Sequence, residues 1–378
     1  MKIGIITQPL GFNYGGLLQN YALQTVLRRI GHEVVTMDQP NCQIGLFQLL
    51  ASAVKTFLLK LIGKGKGRCY PFVAKPSQIK HIARYTDSFI DKYLVHSTKM
   101  IDANESACYV RENHIEAFVV GSDQVWRPKY NVDIYHSFLD FTRGMDVRRV
   151  AYAASFGVDT WEYSSRETDC CRQLVQTFQA VSVREESGVT LCSKYLGVKA
   201  IPVLDPTMLL DKEDYEFLVE QENESSCDGN MLCYILDKNE TKNRIVNEVA
   251  EYLHLSPFTV MPIQPLNGET MKNINQCVFP PVTKWLRGFM DASFVVCDSF
   301  HGAVFSIIFN KPFLVIANQG RGMARFYSLL RMYGLEGRLV TDDMDLSLLE
   351  KPIDWIVVNR KREEMKDISL AFLRENLK

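Results

Sequence analysis

The chain lacks a surplus of positive charge: 43 Lys and Arg stand against 44 Asp and Glu, a formal net charge of -1. A protein that neutralises many phosphates needs a basic excess, so no nucleic-acid partner is expected. No apolar run reaches the ~18 residues of a membrane-crossing helix. The ten cysteines include no CxxC pair, and only Cys170 and Cys171 are adjacent. That pattern fits neither a disulfide framework nor a zinc site and points to a reduced, cytoplasmic setting. HExxH is missing, and the seven histidines form no cluster at ligand spacing, so no metal set is read. GxSxG is also missing, which removes the commonest serine hydrolase signal. Paired carboxylates for glycoside hydrolysis do not stand out, because Asp123, Asp205 and Asp298 all have capping or turn explanations.

What is present is a large core. With 378 residues and 47% hydrophobic composition, the chain can bury roughly three quarters of the surface it exposes when unfolded. The opening MKIGIITQP reads as a buried strand rather than a signal peptide. Short β-branched runs then alternate with helical patterns, the signature of parallel βαβ units. Strands are predicted over residues 2–7 and 33–37, and in AFVVGSD, RVAYAASFG, AVSVRE and AIPVLDP. Each of these four ends on a polar or small residue, which puts Ser122, Asp123, Ser155, Arg184, Glu185 and Asp205 on strand tips, where open parallel sheets present their ligand sites. After Asp205 an acidic, Ser-rich stretch, EQENESSCDGN, precedes a second alternation: MLCYILD, FTVMPI, a helix around Trp285, SFVVC, the turn DSFHG, a helix from Phe305 to Phe309, and PFLVIA. The fold class expected is α/β, with two Rossmann-like domains facing a cleft. Residues 1–205 and 206–360 form the two domains, and 361–378 a closing amphipathic helix.

Several candidates carry two readings each. The turn GFNYGG after the first strand could cradle a phosphate, with Asp38 as a ribose acceptor, but its spacing is not GxGxxG. Its glycines could equally shape a tight turn or line a substrate loop. His301 opens a helix, where amides and the helix dipole favour an anion, or it is a structural histidine. Arg184 closes an apolar strand and must meet a carboxylate, a phosphate or water; Glu185 and Glu186 are its nearest acids in sequence. Lys311, Arg321 and Arg325 flank PFLVIA, where surface solvation is the ordinary expectation. Residues 45–63 form a long apolar helical pattern, and Lys64, Lys66 and Arg68 follow it. They would either pack within the protein or against a partner, or lie on a membrane surface.

Taken in order, KIGIIT, FNYGGLLQNYALQ, VVGSDQVW, AYAASFG, VSVREESG, LDPTMLL and CDSFHGAVFSIIFNKPF resemble the polysaccharide pyruvyl transferase family. They span residues 2 to 313. The resemblance implies a fold similar to GT-B glycosyltransferases and transfer of the enolpyruvyl group of phosphoenolpyruvate onto two sugar hydroxyls, giving a pyruvate ketal on a cell-surface glycan or its precursor. It implies no cofactor beyond the donor substrate, and a sugar or lipid-linked oligosaccharide acceptor. On it, His301 matches the family histidine that contacts the donor and serves as acid, and Arg184 matches an arginine that holds the donor. Some relatives carry Arg-Leu-His where this chain has Ser299, Phe300 and His301. The donor set is then Arg184, Ser299, Phe300, His301, Gly302 and Arg321, with amides at Gly302 and Ala303 helping to hold the anion. The acceptor set is Asn13, Gly15, Gly16, Ser122, Asp123 and Ser155. His301 and Asp123 form the catalytic pair. Two competing readings are a nucleotide-sugar-dependent GT-B glycosyltransferase, which would suit the same fold, and a non-catalytic binding relative, motivated by Ser299.

Overall fold

The computed structural model describes residues 1–39, 74–100, 102–131, 133–341 and 344–378; the 45–68 segment therefore lies outside the described residues. Two wholly parallel sheets organise the chain. The first has the order β2-β1-β3-β4-β5-β6, built from β1 (Lys2–Ile6), β2 (Glu33–Thr36), β3 (Ala117–Val120), β4 (Arg148–Ala154), β5 (Ala180–Val183) and β6 (Ile201–Pro202). The second runs β11-β10-β9-β7-β8, from β7 (Met231–Tyr234), β8 (Pro257–Phe258), β9 (Phe294–Cys297), β10 (Phe313–Ile316) and β11 (Leu339–Val340).

The central strands are uninterrupted apolar runs because helices cover both faces of each sheet. All four residues of β3 are fully buried, and Ile3 pairs with Val34 on one side and Ala117 on the other. The strands read from AIPVLDP and FTVMPI are shorter than expected. β6 and β8 hold two residues each and lie at sheet edges, and the prolines within them, Pro202 and Pro257, supply no ladder donor. The helix Tyr14–Arg29 buries Leu23, Val26 and Leu27 and stops where Gly31 takes φ +95°, a conformation that costs glycine little.

In each sheet the chain reverses direction beside its first strand. β1 connects outward to β2 and the chain then returns to β3 on the other side; β7 connects to β8 and returns to β9. Such reversals leave a crevice at the carboxyl ends of the two diverging strands, the usual ligand position in open parallel sheets. One hydrophobic cluster runs through both halves, from Ile3 and Leu23 to Trp285 and Phe305. The last helix, Trp355–Asn376, crosses back to the first half. Leu204 N–H donates to Ser369 Oγ at 3.0 Å, Arg362 Nη2 to Asp211 Oδ1 at 2.9 Å, and Arg148 Nη1 to the Asn376 carbonyl at 3.1 Å. Among the described residues, no helix is long and apolar enough to cross a membrane.

Candidate active site

Both crevices open onto one cleft of about 620 Å³, within the range of small-ligand sites. Gln8, Asn13 and Asp123 line it from the first sheet, and Tyr234, Asp298 and Ser299 from the second.

The floor of the cleft is the start of the helix Phe300–Ile308. Ser299 caps it: Gly302 N–H donates to Ser299 Oγ at 3.5 Å, and Ala303 N–H donates to the Ser299 carbonyl at 3.2 Å. The two amides expected to hold an anion are thus already engaged. Among the described residues, no acceptor meets the amides of Phe300 and His301, which are the first-turn donors left for a ligand. His301 is 4% exposed and is wedged against the other half of the molecule. A Cβ placed on Gly15 would fall 2.0 Å from His301 Nδ1, so only glycine lets the ring sit there. On the opposite edge, Nε2 lies 3.7 Å from Asp205 Oδ2, within ion-pair reach but longer than a hydrogen bond. Gly15→Ala is therefore expected to displace the imidazole, costing ~1–3 kcal/mol of stability by overpacking and lowering turnover more than donor affinity. Chemical denaturation and steady-state kinetics check this; a variant with unchanged stability and rate would show that the ring has room to move.

Behind the wall lies a buried charge cluster. Arg184 Nη1 donates to Asp205 Oδ2 at 2.6 Å and Nη2 to Asp123 Oδ1 at 3.2 Å, while its Cζ sits 4.2 Å from the centroid of the Phe300 ring. The neighbours in sequence are not its hydrogen-bond partners. Glu185 accepts from the amides of Phe156 (2.7 Å) and Gly157 (2.9 Å) and from Ser155 Oγ (3.0 Å), and Glu186 is exposed, facing Arg331 at 3.5 Å. Burial pushes the Asp205 carboxyl up, but contacts with His301, the Arg184 guanidinium and the Thr207 hydroxyl outweigh it and hold it far below the usual carboxylate range. Asp123 is opposed by burial in the same way and is likewise held low by Arg184, His301 and Arg325. The cluster draws its acids from three strand tips and binds the halves together, because Arg325 and His301 come from the far side of the cleft.

Arg325 is 6% exposed, contrary to the expectation of surface solvation. Its Nη2 donates to the Arg321 carbonyl at 2.8 Å and its Nη1 lies 3.5 Å from Asp123 Oδ1. The signal that could have found it is periodic. In the helix Ala324–Tyr333 the buried positions are Arg325, Phe326, Leu329, Leu330 and Tyr333, so Arg325 occupies the apolar stripe. Arg321 stands at the rim, where Nε and Nη2 engage the two oxygens of Asp237 at 2.6 and 2.9 Å and help hold that carboxyl down to about 2. Asp298 is fully buried and fastens two loops and a helix, accepting from the amides of Leu236 and Asp237, from Lys242 Nζ at 2.6 Å and from Asn318 Nδ2 at 3.0 Å.

Of the residues read from the sequence, Asn13, Asp123, Ser299, Phe300, His301 and Arg321 line the cleft. Gly15, Gly16, Ser122, Ser155, Arg184 and Gly302 stand behind it. Ser122 Oγ donates to the Ala153 carbonyl at 3.1 Å and to Asp205 Oδ2 at 3.2 Å, bracing the cluster, and Gly16 accommodates the Asn13 side chain. Asp38 does not reach the cleft. It accepts the amides of Leu10 and Gln39 and shapes the turn after β1. Lys311 is tied to the Met290 carbonyl at 2.8 Å. Among the described residues, no group of three or more His, Cys, Asp or Glu is placed to hold a metal ion.

The architecture is similar to that of UDP-GlcNAc 2-epimerase from Neisseria meningitidis bound to UDP-GlcNAc. The likeness has a TM-score of 0.51 at 13% identity and covers 100% of this chain and 99% of that one. A glycosyltransferase from Rickettsia africae ESF-5 aligns with a TM-score of 0.49 at 11% identity, over 100% of this chain and 97% of that one. At this identity the likeness to the epimerase speaks to the fold alone, two Rossmann-like domains facing a cleft. No curated relative matches the sequence. The pattern described as polysaccharide pyruvyl transferase matches residues 13–320, a span that runs from Asn13 in the first turn through His301 to the edge of Arg321, and the chain belongs to the polysaccharide pyruvyl transferase family.

Proposed function

We propose that this transferase moves the enolpyruvyl group of phosphoenolpyruvate onto two hydroxyls of a glycan acceptor, forming a pyruvate ketal and releasing phosphate. The observation that carries the reading is the placement of His301. It lies at the bottom of the cleft, fixed between Gly15 and Asp205, beside two open helix amides that suit an anion. His301 gives a proton to the methylene carbon of the donor, making that carbon a methyl group and leaving a cationic centre at its neighbour. One sugar hydroxyl adds there and loses its proton. The carbon–oxygen bond to phosphate then breaks, and a second hydroxyl adds with loss of its proton to close the ketal. The amides of Phe300 and His301 hold negative charge on the donor. Asp123 orients an acceptor hydroxyl. Held ionised by its cations, with Oδ1 shared by two arginines and Oδ2 3.3 Å from Asn13 Nδ2, it is a weak base and a good acceptor. Arg184 keeps Asp205 and Asp123 charged and in place from behind the wall.

The direct test is incubation with phosphoenolpyruvate and a panel of free and lipid-linked glycans, followed by mass spectrometry for the gain of one pyruvyl group. A parallel thermal-shift series compares phosphoenolpyruvate with nucleotide sugars, since a ligand of the native state raises the melting temperature. Protection by a nucleotide sugar and none by phosphoenolpyruvate would replace this reading with the glycosyltransferase one.

A further inference from the structure

We propose that Arg325 grips the phosphoryl oxygens of the incoming donor and holds free phosphate after transfer, an inference that rests on the phosphoenolpyruvate reading above. The carboxylates of the cluster are unequally shared. Asp205 is taken by Arg184, by the Thr207 amide and hydroxyl and by Ser122; Glu185 Oε1 is taken by two backbone amides and a serine, and its Oε2 reaches neither guanidinium. Asp123 is the carboxylate that both guanidinium groups reach, Arg184 at 3.2 Å and Arg325 at 3.5 Å, and the second distance is at the outer limit of a hydrogen bond. Arg325 is consequently the under-compensated cation of the pair.

Its open capacity is specific. Arg325 Nε, like Arg184 Nε, is buried and meets no acceptor among the described residues, but of the two side chains only that of Arg325 lines the cleft. The Arg321 carbonyl anchors one end of the guanidinium, and the Phe300 ring, 5.3 Å from Cζ to centroid, supports its face. Phe300 is also the first residue of the helix whose amides are open, so guanidinium and helix terminus flank the same part of the cleft. A planar fork beside a helix N-terminus suits the several oxygens of a phosphoryl dianion better than a single carboxylate. Burial and the neighbouring Arg184 cation push the Arg325 guanidinium down to about 10. It stays charged at neutral pH, and an arriving anion relieves both effects. Because donor and released phosphate use the same side chain, inorganic phosphate competes with the donor.

The test titrates phosphoenolpyruvate, inorganic phosphate and pyruvate against the full chain and its Arg325→Ala and Arg325→Lys variants by calorimetry. Wild type is expected to bind phosphate in competition with phosphoenolpyruvate. Arg325→Ala should weaken both by ~30-fold, the size of one charge-assisted contact, and leave pyruvate unchanged, with partial recovery in the lysine variant. If Arg325→Ala folds and binds phosphate as wild type does, or if pyruvate is the ligand whose affinity falls, the inference is overturned. Should the alanine variant not fold, competition in wild type decides, and phosphate that fails to compete overturns it. A wild type that ignores phosphoenolpyruvate altogether sinks the functional reading itself. Wild-type donor binding with an Arg325-independent phosphate site sinks only the inference.

Discussion

Arg184→Ala is expected to lower stability by ~3–5 kcal/mol, the cost of leaving a buried carboxylate without its cation. Asp205 is fully buried and 2.6 Å from Arg184 Nη1, and Asp123 loses its nearer guanidinium in the same step. Conservative replacement by Lys would keep the charge but not the fork that reaches two carboxylates at once. The pH dependence carries an independent signature. Asp205 and Asp123 both titrate lower in the folded chain than unfolded, where an aspartate has a value of about 3.9. Their contribution is present in full above roughly pH 4 and is lost as the pH falls below that value, because the unfolded chain then binds protons first. In the alanine variant the two folded-state values rise toward the unfolded one, so stability should fall less steeply below pH 4. Equilibrium denaturation between pH 2 and pH 7 checks both statements. A variant as stable as wild type, with the same acid slope, would mean that water reaches Asp205.

The second large effect is on rate. His301→Asn should lose ~100-fold or more in turnover, as when a general acid is deleted, while donor affinity changes far less. Asparagine keeps a polar group of smaller size beside Gly15, so the chain is expected to fold. Full activity together with a lowered melting temperature would make His301 a packing residue. Measuring turnover and donor affinity separately matters here, because a change confined to affinity would assign His301 to binding.

The β1, β3 and β9 strands were legible in the sequence because a strand buried on both faces can only be a short apolar run. Asp123, which follows β3, was therefore placed near the ligand position by the rule for open parallel sheets, whereas Ser299 entered only through the family resemblance. His301 was legible as a helix start, but its neighbours were not. Gly15 lies nearly three hundred residues earlier, in the first turn of the helix Tyr14–Arg29 and not in the preceding loop as the sequence suggested, and nothing in GFNYGG announces that a histidine ring needs the space of a missing Cβ. Arg184 was read with the acids next to it in sequence. Its partners stand at the tips of β3 and just beyond β6, and only the parallel register brings these together. Arg325 was misread because charge was given more weight than period, although its place in the apolar stripe was visible.

The helix Trp355–Asn376 bears on how the protein is made. It lies wholly beyond the family match, yet Ser369 takes the amide of Leu204 and Arg362 and Lys366 take Asp211, so the helix clamps from both ends the short stretch that carries Asp205. A nascent chain that has already emerged as far as Arg325 holds every charged group of the cleft but not the brace that sets one of them. The brace is thus the last part of the site to be made, and a chain truncated before Trp355 is expected to hold Asp205 less firmly and to unfold at a lower temperature than the full chain.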